Sequence, residues 1–367
     1  MTIYLLGAFL LSTICGAFLI PVILDFCKWK NLYDIPNERK VHKNAVPRLG
    51  GISFMPSMML AFVIAMFMLS PVIAHDNPIT VNLWSVYFFI SLIIIYTTGI
   101  IDDLIGLNAQ IKFVAQIIAA VMMPMSGLCI NNLYGFCGIY LIPFEISAPL
   151  TVFVMVFIMN AMNMIDGIDG LAASLSFLAL CGFLISFMRE GLLIYSLLIA
   201  GLMGVLVPFL YYNMFGKTEK NRKIFMGDSG SLTLGFILSF LVVKYAADNP
   251  RVVALHKDGL IIPYTLLIVP TFDVVRVILV RLRHGRRLFD ADKNHIHHKL
   301  MRTGLSQHQT LCVIIALSLF FILLNIPLFK IINITAIVVI DIIIYTLIHM
   351  VINTIIRKRG KEVLAHE

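Results

Sequence analysis

The sequence carries little charge, since Asp, Glu, Lys and Arg make up only 13% of its 367 residues. Soluble globular chains carry about 25% charged residues, so water is not the main solvent of this protein. Apolar residues instead make up 60% of the chain, and the mean hydropathy is +0.94. This composition predicts a protein that lies mostly within a lipid bilayer.

Metal binding by cysteine and binding of nucleic acid also find little support. The six cysteines show no metal-ligand spacing, and four lie inside apolar runs, where free cysteine behaves as a small hydrophobe. Cys129 and Cys137 flank a predicted external loop, where a disulfide between them is the less favoured alternative. The net charge of +8 comes from short basic runs between apolar stretches, not from one patch, so we expect no nucleic-acid partner.

The chain also lacks an obvious soluble domain, a low-complexity linker or an internal repeat. A membrane-spanning helix needs roughly 20 apolar residues, and eleven runs approach that length. They lie near residues 2–24, 50–74, 83–101, 112–130, 148–165, 170–188, 191–214, 230–247, 259–280, 310–329 and 332–356. We therefore expect an all-α polytopic membrane protein of about eleven transmembrane helices, with residues 1–367 forming a single domain.

The distribution of Lys and Arg predicts the orientation of these spans. Alternate loops hold 22 of these basic residues, whereas the opposite loops hold 4. Loops rich in Lys and Arg face the cytoplasm, and an odd number of spans then places the N-terminus outside and the C-terminus inside. The basic segments are 25–49, 102–112, 215–229, 281–309 and the tail after residue 356.

Polar side chains gather in the loops predicted to be cytoplasmic, beginning with Asp102-Asp103 at the end of the third run. A carboxylate at the C-terminus of a helix is disfavoured by the helix dipole. Adjacent carboxylates also repel each other unless a cation neutralises them. A cation is therefore expected nearby, and Lys112 begins the next run. Ordinary solubilising charge is the alternative interpretation of this pair.

A second polar group ends the fifth run. Asn160, Asn163, Asp166 and Asp169 follow one another at intervals of three residues, so they would form one slanting stripe if the helix persists. Their spacing does not fit an EF-hand, which needs acids at alternate positions and a distal Glu. We interpret the stripe as ligand-binding, with a capped turn as the alternative.

Two further acids lie next to the eighth run and within the ninth. Asp228 is flanked by Gly227 and Gly230 where the eighth run begins, a setting that suits a cation, an anion or a plain helix cap. Asp273 lies inside the ninth run, with Arg276 one turn later. Ionisable groups within a membrane are costly and usually functional or paired, so an internal ion pair and a functional role both stay open.

The most basic loop contains His295, His297 and His298. No Cys or Glu nearby completes a typical tetrahedral zinc site, and Arg and Lys residues surround the histidines. We therefore favour phosphate recognition over metal binding. The first basic loop adds Lys40 and His42, which taken alone would indicate only a membrane anchor.

Oxygen ligands beside cationic donors at a membrane surface favour Mg²⁺, which commonly bridges carboxylates and substrate phosphates. Phosphoryl transfer needs mainly positioning and charge neutralisation, and a metal with cationic side chains supplies both. The location at the headgroup level indicates one soluble, phosphate-bearing substrate and one lipid.

In this order the motifs resemble those of the bacterial polyprenyl-phosphate N-acetylhexosamine-1-phosphate transferases, the superfamily that includes phospho-N-acetylmuramoyl-pentapeptide transferase. The resemblance covers about residues 34–300, and the hydropathy pattern covers the rest. The matching stretches are Asp34 to His42, Pro47 to Gly51, Asp102-Asp103, Lys112, Asn163 to Gly170, Gly227 to Gly230, and Asp292 to His298.

The resemblance implies a reaction in the bacterial cytoplasmic membrane, with the active site facing the cytoplasm. A UDP-N-acetylhexosamine and undecaprenyl phosphate would give a lipid-diphosphate sugar that begins a cell-envelope polysaccharide, with release of UMP. Magnesium would be the cofactor, with manganese as an alternative. N-acetylglucosamine is the expected sugar, and a homodimer stays open.

The resemblance also assigns expected roles to the candidate residues. Asn163 and Asp228 would bind the metal, and Asp102 would deprotonate or orient the lipid phosphate with support from Asp103. The remaining candidates would contact the substrates, either the diphosphate, the nucleotide or the sugar phosphate. They are Lys112, Asp166, Asp169, Lys40, His42, His295, His297 and His298.

Two features favour the simple N-acetylhexosamine branch over the muramoyl-pentapeptide enzymes. The histidine motif reads His-Ile-His-His, and an eleventh run follows it, whereas the muramoyl-pentapeptide enzymes resemble a ten-span plan. A secondary transporter is a less favoured alternative because transporters place their ionisable groups near the bilayer midplane. A CDP-alcohol phosphotransferase is disfavoured because its longer acidic signature does not occur around Asp166.

Overall fold

The structure is a computed structural model that describes residues 2–33, 46–73, 83–220, 222–249, 256–285 and 294–366. Within these ranges it contains thirteen α-helices and one two-stranded sheet. The helices are α1 (Thr2–Lys30), α2 (Phe54–Ile73), α3 (Leu83–Ile105), α4 (Ala109–Met125), α5 (Phe144–Ile165), α6 (Leu171–Arg189), α7 (Leu193–Leu210), α8 (Gly227–Ala246), α9 (Ile261–Leu266), α10 (Ile268–Arg283), α11 (Ile296–Arg302), α12 (Gln307–Leu328) and α13 (Ile334–His366).

The predicted all-α, multi-pass membrane architecture is confirmed. Nine helical stretches in the described part of the chain are long and apolar enough to cross a membrane. The fourth predicted span is the shorter α4, and the ninth is divided into α9 and α10 at Leu267. Pro270 accounts for this break, because it has no backbone N–H to donate to the carbonyl of Leu266.

The loop between α4 and α5 contains a hairpin that the sequence did not predict. Its strands, β1 (Asn132–Phe136) and β2 (Ile139–Leu141), pair in antiparallel fashion. The turn between them includes Cys137, whose φ of 52° lies in the left-handed region. Cys137 is exposed, Cys129 is buried, and both are free thiols, so the alternative of a disulfide is wrong.

Helix α8 forms the centre of the bundle. It is predominantly apolar around its circumference, and every residue from Ser229 to Ala246 is buried, Lys244 included. A helix that is hydrophobic all round is stable only when other elements surround it, and α8 packs against α3, α5 and α6. On α3, the ring of Phe88 lies 4.2 Å from that of Phe240 and 5.7 Å from that of Phe236.

The start of α8 approaches α3 closely at Gly99, which lies one turn before Asp103. A Cβ atom at Gly99 would lie 2.5 Å from the Cα of Ser229, far inside van der Waals contact. Only a residue without a side chain permits this approach. Gly99 therefore determines how closely the acidic end of α3 lies to the start of α8.

We expect Gly99→Ala to destabilise the protein, because the new methyl group must push α3 and α8 apart. Overpacking of this kind costs about 1–3 kcal/mol, partly offset by the roughly 1 kcal/mol that alanine contributes to a helix. Gly7→Ala in α1 is the matched control, since nothing lies within 4 Å of a Cβ there. In detergent, G99A should lower the apparent melting temperature while G7A leaves it unchanged or raises it. Equal melting temperatures would contradict the close approach.

Candidate active site

Four helix ends bring the predicted acidic and basic residues together. The last turn of α3 carries Asp102 and Asp103, and the first turn of α4 carries Lys112. Asn163 lies in the last turn of α5, and Asp228 lies in the first turn of α8. These five residues are separated by up to 126 positions in the sequence and meet at one end of the bundle.

Lys112 joins the acids of two helices. Its Nζ lies 3.0 Å from Oδ2 of Asp102 and 3.0 Å from Oδ2 of Asp228. The other carboxylate oxygen of Asp228 accepts a hydrogen bond of 2.6 Å from Nδ2 of Asn163. The predicted need for a cation beside the acidic pair is therefore confirmed. The exposed side-chain fractions of 9% for Asp102 and 24% for Lys112 show that solvent screens this contact only in part.

Asp103 has a different set of contacts from Asp102. Its carboxylate accepts hydrogen bonds from the backbone N–H groups of Asp228 and Ser229, at 2.8 and 2.9 Å. The first N–H groups of a helix have no partner within that helix, so a side chain from α3 satisfies those of α8. Gly227 precedes them with a φ of +72°, and a Cβ there would lie 2.5 Å from Asp103 Oδ2. Glycine is thus required on backbone and steric grounds alike.

The predicted polar stripe is wrong beyond Asn163. Helix α5 ends at Ile165, and Asp166 leaves the helix with a ψ of 59°. The turn continues to Gly170, whose φ of +75° lies in the left-handed region that favours glycine. Asp169 therefore points away from the helical stripe and pairs with Lys223 at 2.6 Å. Asn160 donates instead to Gln116 of α4, at 2.6 Å.

Lys223 and Asn213 were missed by the sequence interpretation. Asn213 is buried in a π-helical turn, Tyr211–Phe215, that follows α7. Its Oδ1 accepts the N–H of Gly170 at 2.6 Å, and its Nδ2 donates to the carbonyl of Ile224 at 2.8 Å. The side chain thus ties the α5–α6 turn to the segment that leads into Asp228. For Asn213, the only signal in the sequence was an amide within an apolar run.

The structure brings His297 against the same α5–α6 turn. His295 and His297 are buried, and His298 is partly buried. The ring of His297 lies against Gly167, where a Cβ would lie 2.2 Å from Nε2. Burial lowers the pKa of His297 to about 3, and the neighbouring His298 adds to the shift. His297 is therefore neutral at physiological pH and offers one N–H donor, not a positive charge. Lys40 and His42 lie outside the described residues.

The cluster suits a divalent cation by its charge and its donor atoms. Among the residues that the structure describes, no group of three or more His, Cys, Asp or Glu side chains is arranged to hold a metal ion. Asp102 and Asp228 nevertheless offer carboxylate oxygens, and Asn163 offers an amide oxygen, all of which Mg²⁺ accepts. Three carboxyl groups, those of Asp102, Asp103 and Asp228, lie beside the one ammonium group of Lys112, so a bound cation would favour their ionised forms.

Comparisons with known proteins place this arrangement in a family. The model of glycosyl transferase family 4 matches residues 85–246, a range that includes Asp102, Asp103, Lys112, Asn163 and Asp228. A Bacillus subtilis (strain 168) protein named "Probable undecaprenyl-phosphate N-acetylglucosaminyl 1-phosphate transferase" is 31% identical over 327 residues, 86% of this chain and 82% of that protein. The chain belongs to glycosyl transferase family 4.

Other members of the family are similarly related. A decaprenyl-phosphate N-acetylglucosaminephosphotransferase of Mycobacterium tuberculosis (strain CDC 1551 / Oshkosh) is 33% identical over 76% of this chain and 71% of that protein. An undecaprenyl-phosphate alpha-N-acetylglucosaminyl 1-phosphate transferase of Yersinia pestis is 28% identical over 77% of this chain and 73% of that protein. The predicted family and the prediction of a transferase enzyme are confirmed.

In this family 4 enzyme, the pKa of Asp166 lies far from the ordinary value of an aspartate. Burial raises the pKa of its carboxyl group to about 8, and nearby carboxylates add to the shift. Those carboxylates belong to Asp228, Asp169 and Asp103. Without a bound cation, Asp166 is thus largely protonated at neutral pH.

We expect the stability of Asp166→Asn, relative to that of the wild type, to increase as pH rises. The pKa of Asp166 is near 8 in the folded protein and near 3.8 in the unfolded chain, so the folded state binds more protons between these values. Stability of the wild type therefore falls as pH rises through that range. In metal-free buffer with a chelator, the melting temperature of D166N relative to wild type should rise from pH 5.5 to pH 8. A constant difference would contradict the raised pKa.

Proposed function

We propose that this enzyme transfers N-acetylglucosamine-1-phosphate from UDP-N-acetylglucosamine to undecaprenyl phosphate and releases UMP. The main support is that Lys112 forms ion pairs with both Asp102 and Asp228 at one end of the bundle. These pairs combine acidic groups and a cation where four helix ends meet. The names of the three relatives, all N-acetylglucosamine phosphotransferases acting on a polyprenyl phosphate, support the choice of sugar and lipid.

The chemistry is a displacement at phosphorus. An oxygen of the lipid phosphate attacks the phosphorus that carries the sugar, the bond to the bridging oxygen breaks, and UMP leaves with that oxygen. Lys112 neutralises charge on the diphosphate, as a positioned cation does in phosphoryl transfer. Asp102 orients the attacking phosphate, and it removes a proton only from the monoanion, since the second pKa of a phosphate is near 6.

Asp103 and the helix α8 hold this arrangement in place. Because Asp103 accepts the N–H groups of Asp228 and Ser229 in the first turn of α8, we assign it a positioning role for Asp228 in place of direct proton transfer. Asn163 then fixes the carboxylate of Asp228 from a third helix. Because three helices already fix these side chains, little further conformational entropy is lost when the phosphates bind.

Asn163, Asp228 and Asp102 are the residues that would hold Mg²⁺, with Mn²⁺ as an alternative ion. When bound, the cation would withdraw charge from the phosphate oxygens of both substrates. Asp166 and Asp169, in the turn after α5, would contact the nucleotide. The histidines and the two residues of the first loop, Lys40 and His42, would contact the sugar phosphate.

We place the site at the cytoplasmic face of the bacterial inner membrane. The basic loops occur on the side where α3, α5 and α8 have their polar ends, and such loops stay in the cytoplasm. A soluble nucleotide sugar and the phosphate of a membrane lipid both reach that level. The product would begin a cell-envelope polysaccharide; the muramoyl-pentapeptide reaction is the alternative within the superfamily.

Asp228→Ala should abolish release of UMP, because it removes a carboxylate that contacts both Lys112 and Asn163. Loss of one positioned electrostatic group costs about 10²–10³ in kcat, so we expect at least that reduction. The measurement is UMP release by purified protein supplied with UDP-N-acetylglucosamine and undecaprenyl phosphate. Asp25→Ala, at an exposed position of α1, is the control and should keep wild-type turnover. Normal turnover of D228A would remove Asp228 from the site.

Removal of divalent cations should stop the reaction reversibly. We expect a chelator to abolish UMP release by the wild type, and excess Mg²⁺ to restore it, with Mn²⁺ tested in parallel. The physical reason is that the carboxylates and the phosphates repel each other without a cation between them. Undiminished activity in the chelator, with metal content checked by elemental analysis, would contradict a metal-dependent mechanism.

A further inference from the structure

Asp273 is a buried acid within α10 that none of the roles above uses. Its exposed fraction is 0%, and it lies in the span that is broken at Leu267. Burying an unpaired carboxylate is very costly, so its partners indicate why it is there. One partner is Arg276 on the same helix, whose Nη2 lies 2.8 Å from Oδ1. The expected internal ion pair is thus present, but it accounts for only part of the contacts.

The other partners belong to the histidine segment, residues 294–298. Oδ1 of Asp273 also accepts the backbone N–H of Ile296, at 2.9 Å. Oδ2 lies 2.8 Å from Nδ1 of His295. Arg276 adds a contact of its own, since its Nη2 donates to the carbonyl of Asn294. The acid and the arginine of α10 therefore hold the start of α11 at three successive residues.

The residues that follow this segment in α11 and at its end are held by α13. Lys299 donates from Nζ to Oδ1 of Asn353 at 2.8 Å, and Arg359 donates from Nη1 to the carbonyl of Thr303 at 2.6 Å. The ring of His295 also stacks on that of His297, with a centroid distance of 5.9 Å. With the segment held by α10 and the residues after it held by α13, His295 has little freedom to turn its ring.

These contacts determine which nitrogen of His295 carries the proton. A carboxylate paired with a guanidinium is ionised and only accepts hydrogen bonds. Nδ1 of His295 must therefore carry a hydrogen, and Nε2 is the nitrogen left for another partner. We propose that Asp273 is a positioning residue that fixes His295 in the Nδ1–H form, so that Nε2 accepts a hydrogen bond from a hydroxyl or N–H group of the sugar nucleotide; this rests on the proposed function.

The substitution Asp273→Asn distinguishes the hydrogen-bonding role of Asp273 from its contribution to packing, because asparagine has nearly the same shape as aspartate. The amide oxygen of this asparagine would keep the two hydrogen bonds that Oδ1 of Asp273 accepts, from Arg276 and from the N–H of Ile296. Its NH₂ group would then face Nδ1 of His295, which would have to accept. The proton would move to Nε2, and the ring would present the opposite form to the substrate with little change in shape.

Asp341 provides a matched control. It is equally buried, in α13, and it accepts hydrogen bonds from Tyr264 and Asn325, both at 2.8 Å. It has no recorded contact with the histidine segment among the described residues. Asp341→Asn therefore removes a buried membrane carboxylate without changing the partner of His295.

The first experiment compares kcat and KM of full-length D273N, D341N and wild type in the UMP-release assay. Outer-shell partners that orient metal-bound histidines are worth about 10- to 100-fold, and by the same physical reasoning D273N should lose about that much kcat with KM for UDP-N-acetylglucosamine little changed. D341N should keep wild-type kcat. In a His295→Gln background, D273N should have no further effect, because Asp273 acts through His295. Multiplicative losses, or equal kcat for D273N and D341N, would overturn the proposal.

The second experiment needs no substrate. In ¹⁵N-histidine-labelled wild type, the His295 signal, identified by its loss in H295Q, should show Nδ1 protonated, and in D273N it should show Nε2 protonated. An Nε2–H form in the wild type would overturn the proposal even if D273N fails to fold. If no UDP-sugar supports UMP release by the wild type, the proposed function fails, but this spectroscopic result still stands or falls separately.

Discussion

The carboxylate of Asp103 accepts the N–H groups of Asp228 and Ser229 in the first turn of α8, and this contact links the end of α3 to the centre of the bundle. Helix α8 is buried from Ser229 onwards, so a side chain of α3 takes the place that water has at the start of a surface helix. A negative charge at this position is favourable to the helix dipole. The same contact places Asp228 beside Lys112, and glycines at 99 and 227 allow the backbones to come close enough. Stability and positioning of the acid therefore depend on one interaction.

The second constraint is electrostatic. Several carboxylates lie together at a membrane surface, and each raises the cost of ionising the others. Lys112 offsets part of this repulsion, while burial first and the neighbouring carboxylates second raise the pKa of Asp166. Additional positive charge at this site would therefore lower the repulsion between the carboxylates. In the proposed reaction, a divalent cation held by Asn163, Asp228 and Asp102 would supply this charge.

The amphipathic and apolar patterns sufficed to predict the architecture, because hydrophobic run length reports directly on membrane spans. The pairing of Asp102 with a lysine was also predictable, since repulsion between adjacent acids requires a nearby cation. The slanting stripe failed because it assumed a helix through Gly167 and Gly170, where the chain turns. The partners of Asp273, Asn213 and Asp169 are long-range contacts between segments 11 to 54 residues apart, and no local pattern encodes them.

The central claim is that a phosphate moves together with the sugar. It is tested most directly with UDP-N-acetylglucosamine labelled with ³²P at the sugar-bearing phosphate, incubated with purified protein and undecaprenyl phosphate. The account predicts that the label enters the lipid fraction in equal amount to the UMP released. Label that stays in UDP would show transfer of the sugar alone. Label that accumulates unchanged inside sealed vesicles, with no lipid product, would instead show transport, and either result would contradict the account.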